Sequence, residues 1–160
     1  MQYLSIKEQK IERIQKIFTP LLGETIERYG FVELLDEDDG EWEAWHEIPL
    51  RLDIGKTTLC ISWEKFEDLA LAQQDDTDQH WDDDVMRWRY EGIEALDTAL
   101  HNKIVAVALA TYEESAFWSR LLIYLQSGAV LDIYNALDEN AYALYTKDTI
   151  KGALIEVCSL

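Results

Sequence analysis

The sequence contains few bases for its size. Of its 160 residues, 14 are Lys or Arg and 32 are Asp or Glu, so the formal net charge at pH 7 is −18. Binding to nucleic acids and to anionic membranes depends on clusters of Lys and Arg, and an acidic surface repels a polyanion. We therefore expect neither a nucleic acid nor a membrane as the binding partner.

Cysteine is scarce, and long apolar runs are absent. Cys60 and Cys158 lie far apart in apolar surroundings, a spacing that makes neither a disulfide framework nor a zinc site. The longest purely apolar run, Ile104 to Ala110, is too short to span a bilayer, and the chain opens without the basic and apolar segments of a secretion signal. These features predict a reduced, cytoplasmic protein.

Catalytic and nucleotide-binding motifs are also missing. Gly55, Lys56 and Thr57 resemble the end of a phosphate-binding loop, but Leu50 stands where that motif needs Gly, so the pattern predicts a hairpin turn. No Gly-x-Ser-x-Gly elbow occurs, and Cys60 lies in an apolar stretch where a thiol is inert. We expect no enzyme and no cofactor.

Apolar residues are plentiful and make up 48% of the chain, enough to bury a core despite the charge. The length favours a single domain over residues 1–160. The pattern of elements predicts an α+β fold with an N-terminal helix, an antiparallel or mixed sheet with a C-terminal hairpin, and one inserted helix.

In the first half, Ser5 and Glu8 form a capping-box pattern that predicts a helix over 6–19, which Pro20 ends or kinks. A short strand is predicted over 31–35, followed by a turn over 36–40. A hairpin is predicted next, with strands over 42–54 and 57–63 joined by a turn at Gly55 and Lys56. Pro49 places the first hairpin strand at a sheet edge, or delays its start. Residues 66–72 fit a short helix or a strand.

In the second half, a helix is predicted over 85–100 from the stripe of Ile93, Leu96 and Leu100. The uncharged run after Lys103 is typical of a central strand covered on both faces. A hairpin follows over 118–135, and further strands are predicted over 141–145 and 154–158.

Acidic residues concentrate in two stretches. Residues 33–47 hold eight acids and no base, and residues 64–84 hold nine acids and one base, Lys65. Charge that is concentrated in this way indicates a binding partner, whereas evenly spread charge mainly affects solubility. Trp42 and Trp81 stand among the acids, as large apolar anchors do at a protein interface. The alternative is that these tryptophans close the edge of the core while the acids keep the surface soluble.

We predict a partner-binding surface that combines acids and tryptophans from both stretches. It is composed of Asp75, Asp76, Asp78, Trp81, Asp82, Asp83, Asp84, Asp36, Glu37, Asp38, Asp39, Glu41 and Trp42.

A compact, acidic α+β chain without catalytic motifs resembles the bacterial immunity proteins that neutralise secreted toxins, including those of contact-dependent growth inhibition. The hairpin from Leu121 to Tyr142, with Asp132 to Asn140 in its second half, looks like the closing hairpin of several small immunity domains. The resemblance implies that the partner is a basic toxin, of the nuclease type, and that the acids compete for its cleft.

Two alternatives remain from the residues. His80 beside Asp78 and Asp82 offers ligands for a divalent metal ion, as a metal-binding module or a metal-dependent enzyme would use, although neither acidic stretch fits the calcium-loop pattern. A nucleic-acid mimic that blocks a DNA-binding protein is the other alternative, and it differs from an immunity protein only in its partner.

Overall fold

The computed structural model describes residues 1–74 and 84–160, which form two antiparallel sheets and two helices. The first sheet contains β1 (Ile26–Asp36), β2 (Glu41–Ala44), β3 (Leu50–Ile54), β4 (Thr57–Glu64), β5 (Asp68–Gln73) and β6 (Met86–Arg89). The second contains β7 (Ile104–Thr111), β8 (Trp118–Leu125), β9 (Ala129–Asn135), β10 (Asn140–Thr146) and β11 (Leu154–Ser159). The helices are α1 (Lys7–Phe18) and α2 (Glu94–Ala99). The predicted α+β class is confirmed in this coarse form, with two sheets where one was expected.

Strand β1 organises the first sheet because it pairs with three other strands. Its first half pairs with β3, and its second half pairs with both β2 and β6. The strand order is β2-β1-β3-β4-β5, with β6 attached to β1. β1 begins before the strand that the sequence predicted. Its first residues do not follow a regular alternation, because a bulge lies between Ile26 and Arg28. A bulge of this kind hides a strand from a period-two pattern.

The second sheet runs in the order β10-β9-β8-β7-β11. The predicted hairpin is confirmed as β8 and β9, and the predicted central strand is β7, which lies between β8 and β11. Both of the last predicted strands are present as β10 and β11. This part of the chain was predictable because its strands alternate cleanly or are wholly apolar, with turn residues between them.

The two sheets share one hydrophobic core. Trp63 on β4 is 1% exposed, and its indole N–H donates to the carbonyl of Ile133 on β9 at 2.9 Å. The buried side chain of Asn140 accepts from the Trp63 amide at 2.8 Å and donates to the Ile61 carbonyl at 2.9 Å. Buried hydrogen bonds therefore join β4 to β9 and β10 within the core.

The N-terminal helix is confirmed within one residue at each end, and Pro20 lies in a 3₁₀ turn, Thr19–Leu21, that follows it. The capping box is wrong, because the N-cap residue is Ile6 and no side chain caps the helix. Lys10 lies on the buried face of α1 and is fully buried, and its amino group donates to the carbonyls of Glu67 and Trp118. Burial lowers the pKa of Lys10.

The helix predicted over 85–100 is only partly correct. Residues 86–89 form strand β6, and the helical part is limited to α2. The alternation of Arg87 and Arg89 with Met86 and Trp88 fits a strand once β1 supplies a pairing edge, which overrides the weaker helical pattern. Most of residues 66–72, where helix and strand were both open, belong to strand β5. The strand predicted over 42–54 is divided, because β2 ends at Ala44 and β3 begins directly after Pro49, as the later-start alternative required.

Within the described chain, neither helix has the length and apolar character needed to cross a membrane.

Candidate partner-binding surface

The first acidic stretch forms the tip of the hairpin between β1 and β2, which we call the hairpin tip and define as residues 36–41. Asp36 pairs with Glu41 across the hairpin, and Gly40 turns the chain with a φ of 73°. The Asp36 carboxylate accepts the Asp38 amide at 2.9 Å, and the Asp39 carboxylate accepts the Glu41 amide at 2.8 Å. These bonds fix two acids within the turn, as Asp side chains commonly do.

The second acidic stretch reaches the same end of the sheet through β6. Leu34 pairs with Met86, and the Leu35 amide donates to the Val85 carbonyl at 2.8 Å. Asp84, which is exposed, therefore lies beside the strand end from which the hairpin tip projects. The structure brings the end of one acidic run next to the other. The remaining predicted residues of the second run lie outside the described residues: Asp75, Asp76, Asp78, Trp81, Asp82 and Asp83. His80, the metal ligand in the alternative reading, lies outside them as well.

Trp42 is half-buried at the base of the hairpin tip. The Arg87 guanidinium lies 4.2 Å from the centroid of its ring, a cation–π contact. The same guanidinium donates to the Glu33 carboxylate at 2.9 Å, and Arg89 lies 3.7 Å from that carboxylate. One face of Trp42 is thus covered by a base of its own chain, which holds the ring in place.

Three carboxylates come together on one side of the hairpin. One oxygen of each of Asp36, Asp39 and Glu43 lies within 4.8 Å of the other two. Like charges at this separation repel, so a cation placed among them would be bound favourably. The sequence did not predict this group, because Glu43 joins Asp36 only through the cross-strand pairing of β1 with β2.

His46 serves the fold. Its ring lies between those of Phe31 and Tyr142, with centroid separations of 6.0 and 5.6 Å. Burial lowers the pKa of His46, so the imidazole is neutral at pH 7. Its backbone carbonyl accepts the Asn140 amide at 3.0 Å, which ties the chain after β2 to the start of β10.

Both cysteines are free thiols. Cys60 is buried in β4, where its thiol donates to the Gln74 side chain, and burial raises its pKa to about 11. Cys158 is half-buried, and burial raises its pKa as well. A thiol with a raised pKa carries little thiolate at pH 7 and is a poor nucleophile.

A buried ion pair, Arg120 with Asp132, lies in the second sheet and was not predicted. Arg120 donates to Asp132 at 2.9 Å and to the carbonyls of Thr111 and Lys151 at 3.1 and 2.8 Å. The other Asp132 oxygen is buried without a hydrogen-bond partner among the described residues. Burial raises the pKa of Asp132 to about 6, against the opposing effect of Arg120. The pair ties the segment between β10 and β11 to the sheet.

Comparison of the chain with protein-family models, with curated proteins and with solved structures finds no match, so the proposals below rest on the chain's own residues.

Proposed function

We propose that this chain is an immunity or inhibitor protein that binds a basic toxin domain of the nuclease type and blocks it without chemistry. The supporting observation is the position of Asp84 beside the hairpin tip, since it gathers acids from two separate stretches at one end of the first sheet. A surface on which acids from two stretches of the chain lie together is more complementary to a concave basic partner than a surface with scattered acids.

The physical basis is competition for a phosphate-binding cleft. A nuclease must hold phosphates, so its active cleft is basic, and an acidic inhibitor can fill that cleft by charge and shape. Long-range attraction of this kind can bring association to about 10⁸ to 10⁹ per molar per second at low salt. Fast association matters to a cell that must neutralise an enzyme before it cuts.

Local order in the hairpin tip favours this role. The turn carboxylates of Asp36 and Asp39 are held by backbone amides, and Trp42 is held by Arg87. Acids fixed in place lose less conformational freedom on binding than acids on a free loop. The exposed residues Glu37, Asp38 and Glu41 then present charge from a defined position.

The test is a triple variant, D36N/D38N/D39N, measured against the product of the gene immediately upstream. Asn keeps the oxygen that accepts each backbone amide, so the turn is retained while three charges are removed. We expect about tenfold to a hundredfold weaker binding and a flatter dependence of affinity on salt. Binding is followed by co-purification and then by titration at several salt concentrations.

The matched control removes three exposed acids elsewhere, E12Q/E113Q/D148N, and changes the net charge equally. We expect this control to bind much more tightly than D36N/D38N/D39N. Equal affinity of the two triple variants would show that only total charge matters and would reject the site. An upstream product that does not bind at all would reject the toxin partner.

A second candidate function is divalent-cation binding at Asp36, Asp39 and Glu43, which the 4.8 Å grouping of their oxygens supports. Oxygen ligands of this type suit Ca²⁺, Mg²⁺ and Mn²⁺. Calorimetric titration of the full chain with each ion, and with Zn²⁺, separates the two functions. Heat that disappears in D36N/D38N/D39N would favour the cation, and no heat at about 1 mM metal would end this candidate.

A further inference from the structure

The outer edge of β10 is open among the described residues. β10 pairs on one side with β9 and is the last strand of its sheet. Backbone amides alternate between the two edges of a strand, and the Asn140 amide points away from β9, towards the carbonyl of His46. The amides and carbonyls of Tyr142 and Leu144 therefore point outward in the same way. No residue in 1–74 or 84–160 pairs with them.

Among the described residues, the other outer strands of the two sheets are protected, whereas β10 is not protected beyond Asn140. In β5, Leu69 accepts a hydrogen bond from the Leu4 amide and donates one to the Leu4 carbonyl, and β11 carries Glu156 and a register shift. β2 and β6 are four residues long and carry charges. By contrast β10 has seven residues, with no charge, no proline and no bulge. Natural proteins normally protect a free edge by such devices, so an unprotected edge indicates a pairing site.

A cleft of about 460 Å³ runs beside this edge, between β10 and α2. It is lined by three consecutive β10 residues, Tyr142, Ala143 and Leu144, whose side chains alternate between the faces of the sheet. The cleft therefore follows the backbone edge. From the other side it is lined by Ile93, Glu94, Ala95 and Thr98. A strand that paired with β10 would have room there for its side chains.

We propose that the free edge of β10 and the cleft beside α2 bind an extended, cationic segment of the partner protein as an added β-strand. Addition of a strand to an open edge takes affinity from the backbone and selectivity from the adjoining pocket. The His46 carbonyl already occupies the first pairing position, so the added strand would pair from Tyr142 onward.

The acidic charge around the cleft indicates what kind of segment would bind there. Among the described residues that line the cleft, Glu94 is the one with a charged side chain, and Glu139 precedes β10. A second copy of this chain is disfavoured, because two molecules of net charge −18 repel each other. A cationic segment is attracted by the same field. The choice of a cationic segment rests on the proposed function, whereas the open edge does not.

The test compares L144P with L144A. Proline removes the outward amide of Leu144 without removing a bond to β9, and it is tolerated at such edge positions. Alanine keeps that amide and also removes most of the leucine side chain, so the pair of variants isolates the backbone donor.

The probe is a fluorescein-labelled synthetic peptide of alternating lysine and valine. A peptide of alternating glutamate and valine is the charge control. Binding is measured by fluorescence anisotropy.

We expect the lysine peptide to bind L144P about tenfold more weakly than it binds L144A, because only L144P lacks the outward amide. The glutamate peptide should not bind. Hydrogen exchange on the wild-type protein gives a second measurement that needs no variant. The amides of Tyr142 and Leu144 should exchange more slowly when the lysine peptide is present.

Equal binding of the lysine peptide to L144P and L144A, or unchanged exchange at Tyr142 and Leu144, would overturn the proposal. So would the absence of binding to wild type at about 1 mM peptide. A dimer in sedimentation that L144P abolishes would assign the edge to a second copy instead. D36N/D38N/D39N separates this proposal from the acidic surface: it should retain peptide binding at β10 even if the hairpin tip proves irrelevant to the toxin.

Discussion

At the scale of single residues, the Asp132 carboxylate carries the clearest electrostatic consequence. It is buried, it makes one hydrogen bond to Arg120, and its second oxygen is unpartnered among the described residues. Desolvation therefore outweighs the attraction of the guanidinium and raises the pKa of Asp132 to about 6. A carboxyl that is easier to protonate when folded than when unfolded favours the folded state at lower pH.

Asp132 should thus make the protein relatively more stable as the pH falls from 7 towards 4.5. Between these values the native state binds more protons at this site than the unfolded state does, so wild type should gain about 2 kcal/mol relative to D132N. Urea unfolding of both proteins at each pH measures the difference. A constant difference would show that Asp132 does not titrate in this range.

At the scale of elements, Asn140 connects the two sheets. Its side chain satisfies the Trp63 amide and the Ile61 carbonyl, both of which are inside the core. A buried backbone group that loses its partner pays its full desolvation cost. β10 and β4 are therefore held together by a polar contact as well as by apolar packing.

We expect N140A to lower the free energy of unfolding by about 3 kcal/mol, since it leaves two buried backbone groups unpaired. Q126A, in the exposed turn between β8 and β9, is the control and should change stability by less than about 0.5 kcal/mol. Urea denaturation of the three proteins provides the comparison. Similar midpoints for N140A and wild type would mean that water replaces the lost bonds.

How far the sequence predicts an element depends on how local its cause is. The hairpin of β8 and β9 and the turn at Gly55 follow from alternation and turn residues, and both were predicted. β6 needs the distant edge of β1, and the burial of Lys10 needs carbonyls from β5 and β8 regions, so neither was predictable. In the site, the acidic character was evident, but the meeting of Asp84 with the hairpin tip depends on pairing that no local pattern encodes.

For the whole molecule, the net charge of −18 opposes compactness. Like charges on one folded surface repel more strongly than they do on an expanded chain. Salt weakens this repulsion, with a screening length of about 10 Å at 0.1 M that shortens as salt is added. The hairpin tip concentrates the effect, because Asp36, Asp39 and Glu43 are held within 4.8 Å of one another.

We expect the melting temperature to rise by a few degrees between about 20 and 500 mM NaCl as this repulsion is screened. D36N/D38N/D39N should start from a higher melting temperature at low salt and respond less to added salt. E12Q/E113Q/D148N carries the same charge change without the cluster and should show a smaller gain. A melting temperature independent of salt in the wild type would contradict the account.

The pairing of β6 with β1 also affects the order in which the chain folds. Contacts between positions as distant as Leu34 and Met86 require a long loop to close, and such contacts form late in folding. The hairpin of β1 and β2 is local and can form early, but Asp84 joins it only after that closure. A newly made chain would therefore present its complete acidic surface only once the first sheet has closed, so the proposed inhibition of a toxin would require folded protein.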